Sequence, residues 1–168
     1  MSTAAAVQYV LPAVLITRAD LARLMREIEA LDNELEAQKV RNHASGKASG
    51  YHLPTMSRSL NDFLEQNHID IADDKIRVAL RETLKDTKEH APIMHMTFAV
   101  EADPEFLQRL VGWLRQEIHP QALLSVGLQP ALVGGVYVRT PNHVHDFSIR
   151  SLLEDKRDII RHELEGLV

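Results

Sequence analysis

Cysteine is absent from this sequence, tryptophan occurs once, and aromatic residues make up only 5% of it. Without a thiol the chain forms no disulfide, carries no thiolate nucleophile and builds no thiolate metal site; a reducing compartment is the consistent setting. An excess of positive charge is missing too: 19 Lys and Arg stand against 24 Asp and Glu, a formal net charge of −5. A nucleic-acid partner needs a basic surface to neutralise phosphate, so none is expected. No run approaches the ~18 uninterrupted apolar residues of a membrane span. The longest, residues 7–16, contains Gln8, Tyr9 and Pro12, and no basic region precedes it as in a signal peptide. These absences predict a soluble, cytoplasmic chain that reaches a membrane only through partners.

What is present reads as an α+β chain in two unequal parts. At 168 residues the protein can bury roughly 70% of its unfolded surface and needs no staples. The first part, residues 1–92, is mainly helical. Residues 7–16 suit an edge strand or an extended arm, because Pro12 excludes a central strand. Thr17 with Asp20 makes a capping box, and the helix that follows places Leu21, Leu24, Ile28, Leu31 and Leu35 at heptad spacing, through about residue 40. That stripe serves either packing within the chain or a partner helix. Ser and Gly near 42–55 mark a flexible linker. Ser57 or Ser59 opens a short helix with Leu60, Phe63 and Leu64 inward. Asp73 caps another running to about residue 89, with Ile76, Ala79, Leu80, Thr83 and Leu84 as its inner stripe.

The second part, residues 93–168, has the order β-α-β-β-β-α, a small α+β domain. A strand over 93–100 precedes Asp103-Pro104, a strong helix start. Phe106, Leu107, Leu110, Val111, Leu114 and Ile118 form a broad apolar face on that helix, which Pro120 stops. Strands follow over 122–128, 133–139 and 143–147, the last two flanking the turn Thr140-Pro141-Asn142. A final helix from Ser148 past Leu164 is expected to turn Ile149, Leu152, Leu153, Ile159, Ile160 and Leu164 inward. Gly134-Gly135 supplies positive φ or close approach at the hairpin entry. Ser148 is a helix N-cap, and Asp146 lies just before that positive helix end.

Pro130, Leu132, Gly134 and Gly135, followed by Asp146 and Ser148, resemble the carboxy-terminal signature of the F-type ATP synthase delta subunits, the family of the oligomycin-sensitivity-conferring protein. In that family a Pro-x-Leu-Ile-Gly-Gly run enters a hairpin and an Asp-x-Ser opens the last helix; here Val133 replaces the isoleucine. The elements from residue 95 onward follow the family order. The family's amino-terminal part is a bundle of six helices that contacts the catalytic head, whereas the sequence here predicts three, a divergent or reduced counterpart. The resemblance implies a non-catalytic peripheral-stalk subunit of a proton-translocating ATP synthase. Its partners would be the b-type stalk subunit and the alpha subunits of the head, on the cytoplasmic face of the cell membrane.

No catalytic, cofactor or metal site is expected. Gly134-Gly135 lacks the Lys-Ser/Thr of a phosphate loop. Nine histidines are present, and His143 and His145, with His95 or His119 nearby, are the best zinc candidates, yet no ligand-spacing motif joins them. No nucleophile motif gathers Ser, His and Asp. Candidate partner contacts are apolar: Trp113 at the edge of its helix stripe, and Leu152, Ile159 and Ile160 on the last helix. Two other readings of the chain are a small regulatory or ligand-binding α+β domain and a helical scaffold whose heptad helix dimerises.

Overall fold

The computed structural model describes residues 9–45, 52–140, 143–157 and 162. Residues 9–16 form an arm without regular strand structure, joined to the sheet where Thr17 bridges Leu124. Helix α1, Arg18–Ser45, begins with the expected box: the Thr17 amide donates to Asp20 Oδ2 at 2.9 Å, and the Asp20 amide donates to Thr17 Oγ1 at 3.2 Å. The helix runs 28 residues, about 42 Å. It therefore enters the segment expected as linker, of which 46–51 lie outside the described residues.

All five heptad side chains of α1 are buried. They pack with Leu60, Phe63 and Leu64 of α2, Arg58–Gln66, and with Leu80 and Leu84 of α3, Asp74–His90. The stripe is thus consumed inside the chain, which leaves the dimerising-scaffold reading without its surface. Ser57 is the α2 cap, its Oγ accepting from the Leu60 amide at 3.2 Å, while Glu27 of α1 accepts from both Ser57 N and Oγ. The inner stripe of α3 differs from the expected one. Arg77, Leu80, Leu84 and Thr87 are buried, whereas Ile76 and Thr83 are half-buried and Ala79 is exposed. The helix is rotated toward Arg77 because that guanidinium finds Asp32 on α1 at 2.5 Å.

Strands β1, Ile93–Phe98, β2, Leu123–Leu128, β3, Gly135–Arg139, and β4, Val144–Ser148, form one sheet of order β2-β1-β3-β4. The β1–β2 pair is parallel and the other two pairs are antiparallel. Helix α4, Pro104–Glu117, makes the parallel crossover, capped by Asp103, which accepts from the Phe106 amide at 3.0 Å. It covers the face carrying Met94, Met96, Phe98, Leu124, Val136 and Val138 with Leu107, Leu110, Val111 and Leu114. Its apolar face is narrower than expected, since Phe106 and Ile118 are exposed. On the opposite sheet face, Ile93 and Leu123 join the core of α1, α2 and α3.

The last helix, α5, is described as Ile149–Asp155. Contrary to the expected inner stripe, Ile149 and Leu153 are exposed, and so is Leu152, as its other reading as a partner contact requires. Packed against β4 at the end of the sheet, α5 meets too little of the core to bury a stripe. Residues 159, 160 and 164 lie outside the described residues. Among the described residues, no helix is long and apolar enough to cross a membrane.

Candidate partner surface and the hairpin signature

The signature residues meet at one end of the sheet. After β2, Pro130–Leu132 form a 3-10 turn where the sequence predicts only a connecting segment, and Val133 follows at φ 64°. The left-handed conformation thus falls on Val133 as well as on Gly135, at φ 89°. A β-branched residue at positive φ is strained. The two glycines then serve different needs. A Cβ at Gly134 would strike the Ile149 side chain, and one at Gly135 would strike the Phe147 carbonyl and approach Ser148 Cα to 2.8 Å. The Gly134 carbonyl accepts from the Ile149 amide at 3.0 Å, tying the turn to the first residue of α5.

Gly135 pairs with Ser148 across β3–β4. Ser148 is buried and caps α5, its Oγ accepting from the Ser151 amide at 3.2 Å. Asp146 accepts from the Ser148 amide at 2.8 Å. Hydrogen bonding from Ser148, first its side chain and then its backbone, holds the Asp146 carboxyl below the ordinary carboxylate range. Pro130 is exposed and Leu132 half-buried. Most of the signature therefore has a visible structural role. Pro130 opens the turn, the glycines permit two close approaches, Asp146 fixes the turn into the helix and Ser148 caps it.

Trp113 is 53% exposed and Leu152 is 55% exposed. Ile159 and Ile160, expected beside them as contacts, lie outside the described residues. On α4, Phe106, Leu110 and Trp113 follow one another at helical spacing along one flank. The other flank carries Gly112 and Arg115, which face the arm at Tyr9 to Pro12. The Trp113 flank lies away from the arm, and Phe106 on it packs edge-to-face on Phe98 of β1 with ring centroids 6.2 Å apart. In register with Val136, Phe147 shares that sheet face and is 55% exposed. Exposed large apolar side chains on α4, β4 and α5 thus include Phe106, Trp113, Phe147, Ile149, Leu152 and Leu153. Phe106 and Phe147 are exposed beside the residues singled out from the sequence, and strand alternation already places Phe147 with His145 and His143.

His145 stacks on Phe147 along β4 with centroids 5.8 Å apart, and His143, just before the strand, lies tilted against His145 at 6.1 Å. His95 is on the other sheet face, paired with Arg139, so it does not approach them. Among the described residues, no group of three or more His, Asp or Glu is placed to hold a metal ion.

No protein-family profile matches the chain. Over 101 residues it is 31% identical to the ATP synthase subunit delta of Xylella fastidiosa (strain M12), covering 60% of this chain and 56% of that protein. The chain therefore spans about half the length of the curated relative to which it is similar.

Proposed function

We propose that this chain is a non-catalytic peripheral-stalk subunit of an F-type proton-translocating ATP synthase, joining the catalytic head to the b-type stator stalk. The observation that carries the reading is the signature hairpin, Pro130 to Ser148, whose glycines and cap have matched structural roles. Similarity to a delta subunit supports it further. The function is mechanical, since the head must be held against the torque of the rotor. Apolar anchors suit such a joint, because exposed ion pairs contribute only ~0–1 kcal/mol each. Trp113 and Leu152 are such anchors, and a helix laid against them would bury them. In this reading the alpha subunits of the head are the second partner, and the chain sits on the cytoplasmic face of the cell membrane through its partners.

The test is calorimetric titration of the whole chain with a peptide of the carboxy-terminal helix of a b-type subunit. Both Trp113→Ala and Leu152→Asp are expected to weaken binding more than about tenfold, whereas Glu154→Ala changes it little. These exposed positions leave the fold intact, which circular dichroism checks. A wild type that binds no such peptide, or folded variants that bind like wild type, would sink the reading.

A further inference from the structure

The sheet face opposite α4 is polar where the helical core does not cover it. Its rows follow from the register: Ser125, His95, Arg139 and Val144 lie side by side, and Gly127, Thr97, Tyr137 and Asp146 form the next row. Paired residues on one face have Cβ atoms about 5 Å apart, so His95 and Arg139 are immediate neighbours, as are Thr97 and Tyr137. A concavity of about 590 Å³ opens over them, lined by His95, Thr97, Gln129, Tyr137, Arg139 and Thr140.

Every one of these six side chains carries a hydrogen-bond donor, and none is a carboxylate. Thr140 is already engaged, donating to the His143 carbonyl at 3.1 Å. Among the described residues, Arg139 makes no ion pair, and the His95, Thr97, Gln129 and Tyr137 side chains make no hydrogen bond. Gly127 lies beside Thr97, where a Cβ would come within 3.3 Å of Thr97 Oγ1. The one acid on these rows, Asp146, lies beyond Tyr137 and accepts from the Ser148 amide. A planar guanidinium beside hydroxyl, amide and imidazole donors matches the acceptor geometry of an oxyanion.

We propose that this open sheet face is a binding site for a small oxyanion-bearing molecule, a carboxylate or a phosphate, held by Arg139 with His95, Thr97, Gln129 and Tyr137. Arg139 supplies a fixed charge and the bidentate fork, and the other donors orient the remaining oxygens. The site is independent of the stalk assignment, since it lies on the face away from Trp113. It also provides the convergent polar groups that a ligand-binding reading of the chain requires.

The full-length ¹⁵N-labelled protein is titrated with inorganic phosphate and, separately, with succinate, at constant ionic strength. Saturable shifts at the amides of His95, Thr97, Tyr137 and Arg139 are expected, with a Kd on the order of 1 mM. Saturation by phosphate alone identifies a phosphoryl ligand, and saturation by succinate alone a carboxylate. Arg139→Gln should weaken binding at least about tenfold, and Tyr137→Phe, which keeps the ring in the sheet, should weaken it less. The control is Arg150→Gln on α5, whose guanidinium already pairs with Glu154; it leaves binding unchanged. Shifts that stay linear with both anions, or that are the same in folded Arg139→Gln or Tyr137→Phe, overturn the proposal.

Discussion

Arg77 is the one fully buried charged side chain among the described residues. Its guanidinium donates to Asp32 and Asp74 and to the carbonyls of Ile71 and Ala72, the last two at 2.9 Å. Asp32 in turn pairs with Arg81 at 3.0 Å, so one carboxylate on α1 fastens two turns of α3. Without Asp32 the buried guanidinium keeps Asp74 and two carbonyls but loses one charge-assisted bond, and Arg81 loses its carboxylate. Asp32→Ala should therefore destabilise the protein by about 1–3 kcal/mol, whereas Asp32→Leu combined with Arg77→Leu should cost less than the two single changes together. Urea unfolding of the wild type and these variants measures the difference; strict additivity would show that the pair does not act as a unit. At Gly135 both conformation and space are constrained. With φ at 89° and the Phe147 carbonyl in the way of any Cβ, Gly135→Ala is expected to cost more than about 2 kcal/mol. Gly112→Ala, where a Cβ meets nothing within 4 Å, is the control and should be neutral or stabilising.

At the scale of elements, the arm of residues 9–17 does more than its length suggests. Leu11 and Leu15 enter the core of α1, α2 and α3, while Ile16 packs against the core under α4. Arg115 of α4 donates to the carbonyls of Leu11 and Pro12, at 2.9 and 2.8 Å, and to those of Leu15 and Ala122. Burial pulls the Arg115 pKa down to about 10, so the group remains charged at neutral pH. The arm's carbonyls offset that burial in place of a carboxylate. Leu123, although a β2 residue, belongs to the helical core. We propose that residues 93–168 nonetheless form a unit that folds alone, since both layers of its own core, α4 and the sheet, are retained. Expressed by itself, the fragment should melt cooperatively but below the whole chain, because Arg115 loses the arm carbonyls and Leu123 loses the helical core. A fragment without a cooperative calorimetric transition would show the boundary to be wrong.

For the whole molecule, the distribution of surface chemistry matters more than any single group. Exposed apolar side chains stand on α4, β4 and α5, while the sheet face opposite α4 holds a concavity lined by polar side chains. A stator subunit needs the first kind of surface for a firm contact and no chemistry of its own. Isolation of the tagged chain from native membranes under mild detergent should therefore bring down b-type and alpha subunits, identified by mass spectrometry. The purified chain alone should show no ATP hydrolysis above a mock preparation. Recovery without any ATP synthase subunit, or hydrolysis that tracks the protein through purification, would contradict the stalk assignment.

Local interactions were legible in the order of residues. The Thr17–Asp20 box, the caps at Ser57, Asp73, Asp103 and Ser148, the heptad stripe of α1 and the succession of helices and strands all depend on neighbours a few residues apart or on simple periodicity. The need for both Gly134 and Gly135 was visible as well, though not which close approach each permits. Distant partners set the rest, and these come together only in the folded chain. Arg77 displaced Ile76 from the buried face of α3 because Asp32 lies 45 residues away in sequence, beyond the reach of any periodicity. Ile149, Leu152 and Leu153 had the pattern of an inner stripe, yet α5 sits where little core remains to cover them. His95 and Arg139 became neighbours through strand register, which a one-residue slip would have reversed. Periodicity says which residues share a face; only packing determines whether that face meets the core or the solvent.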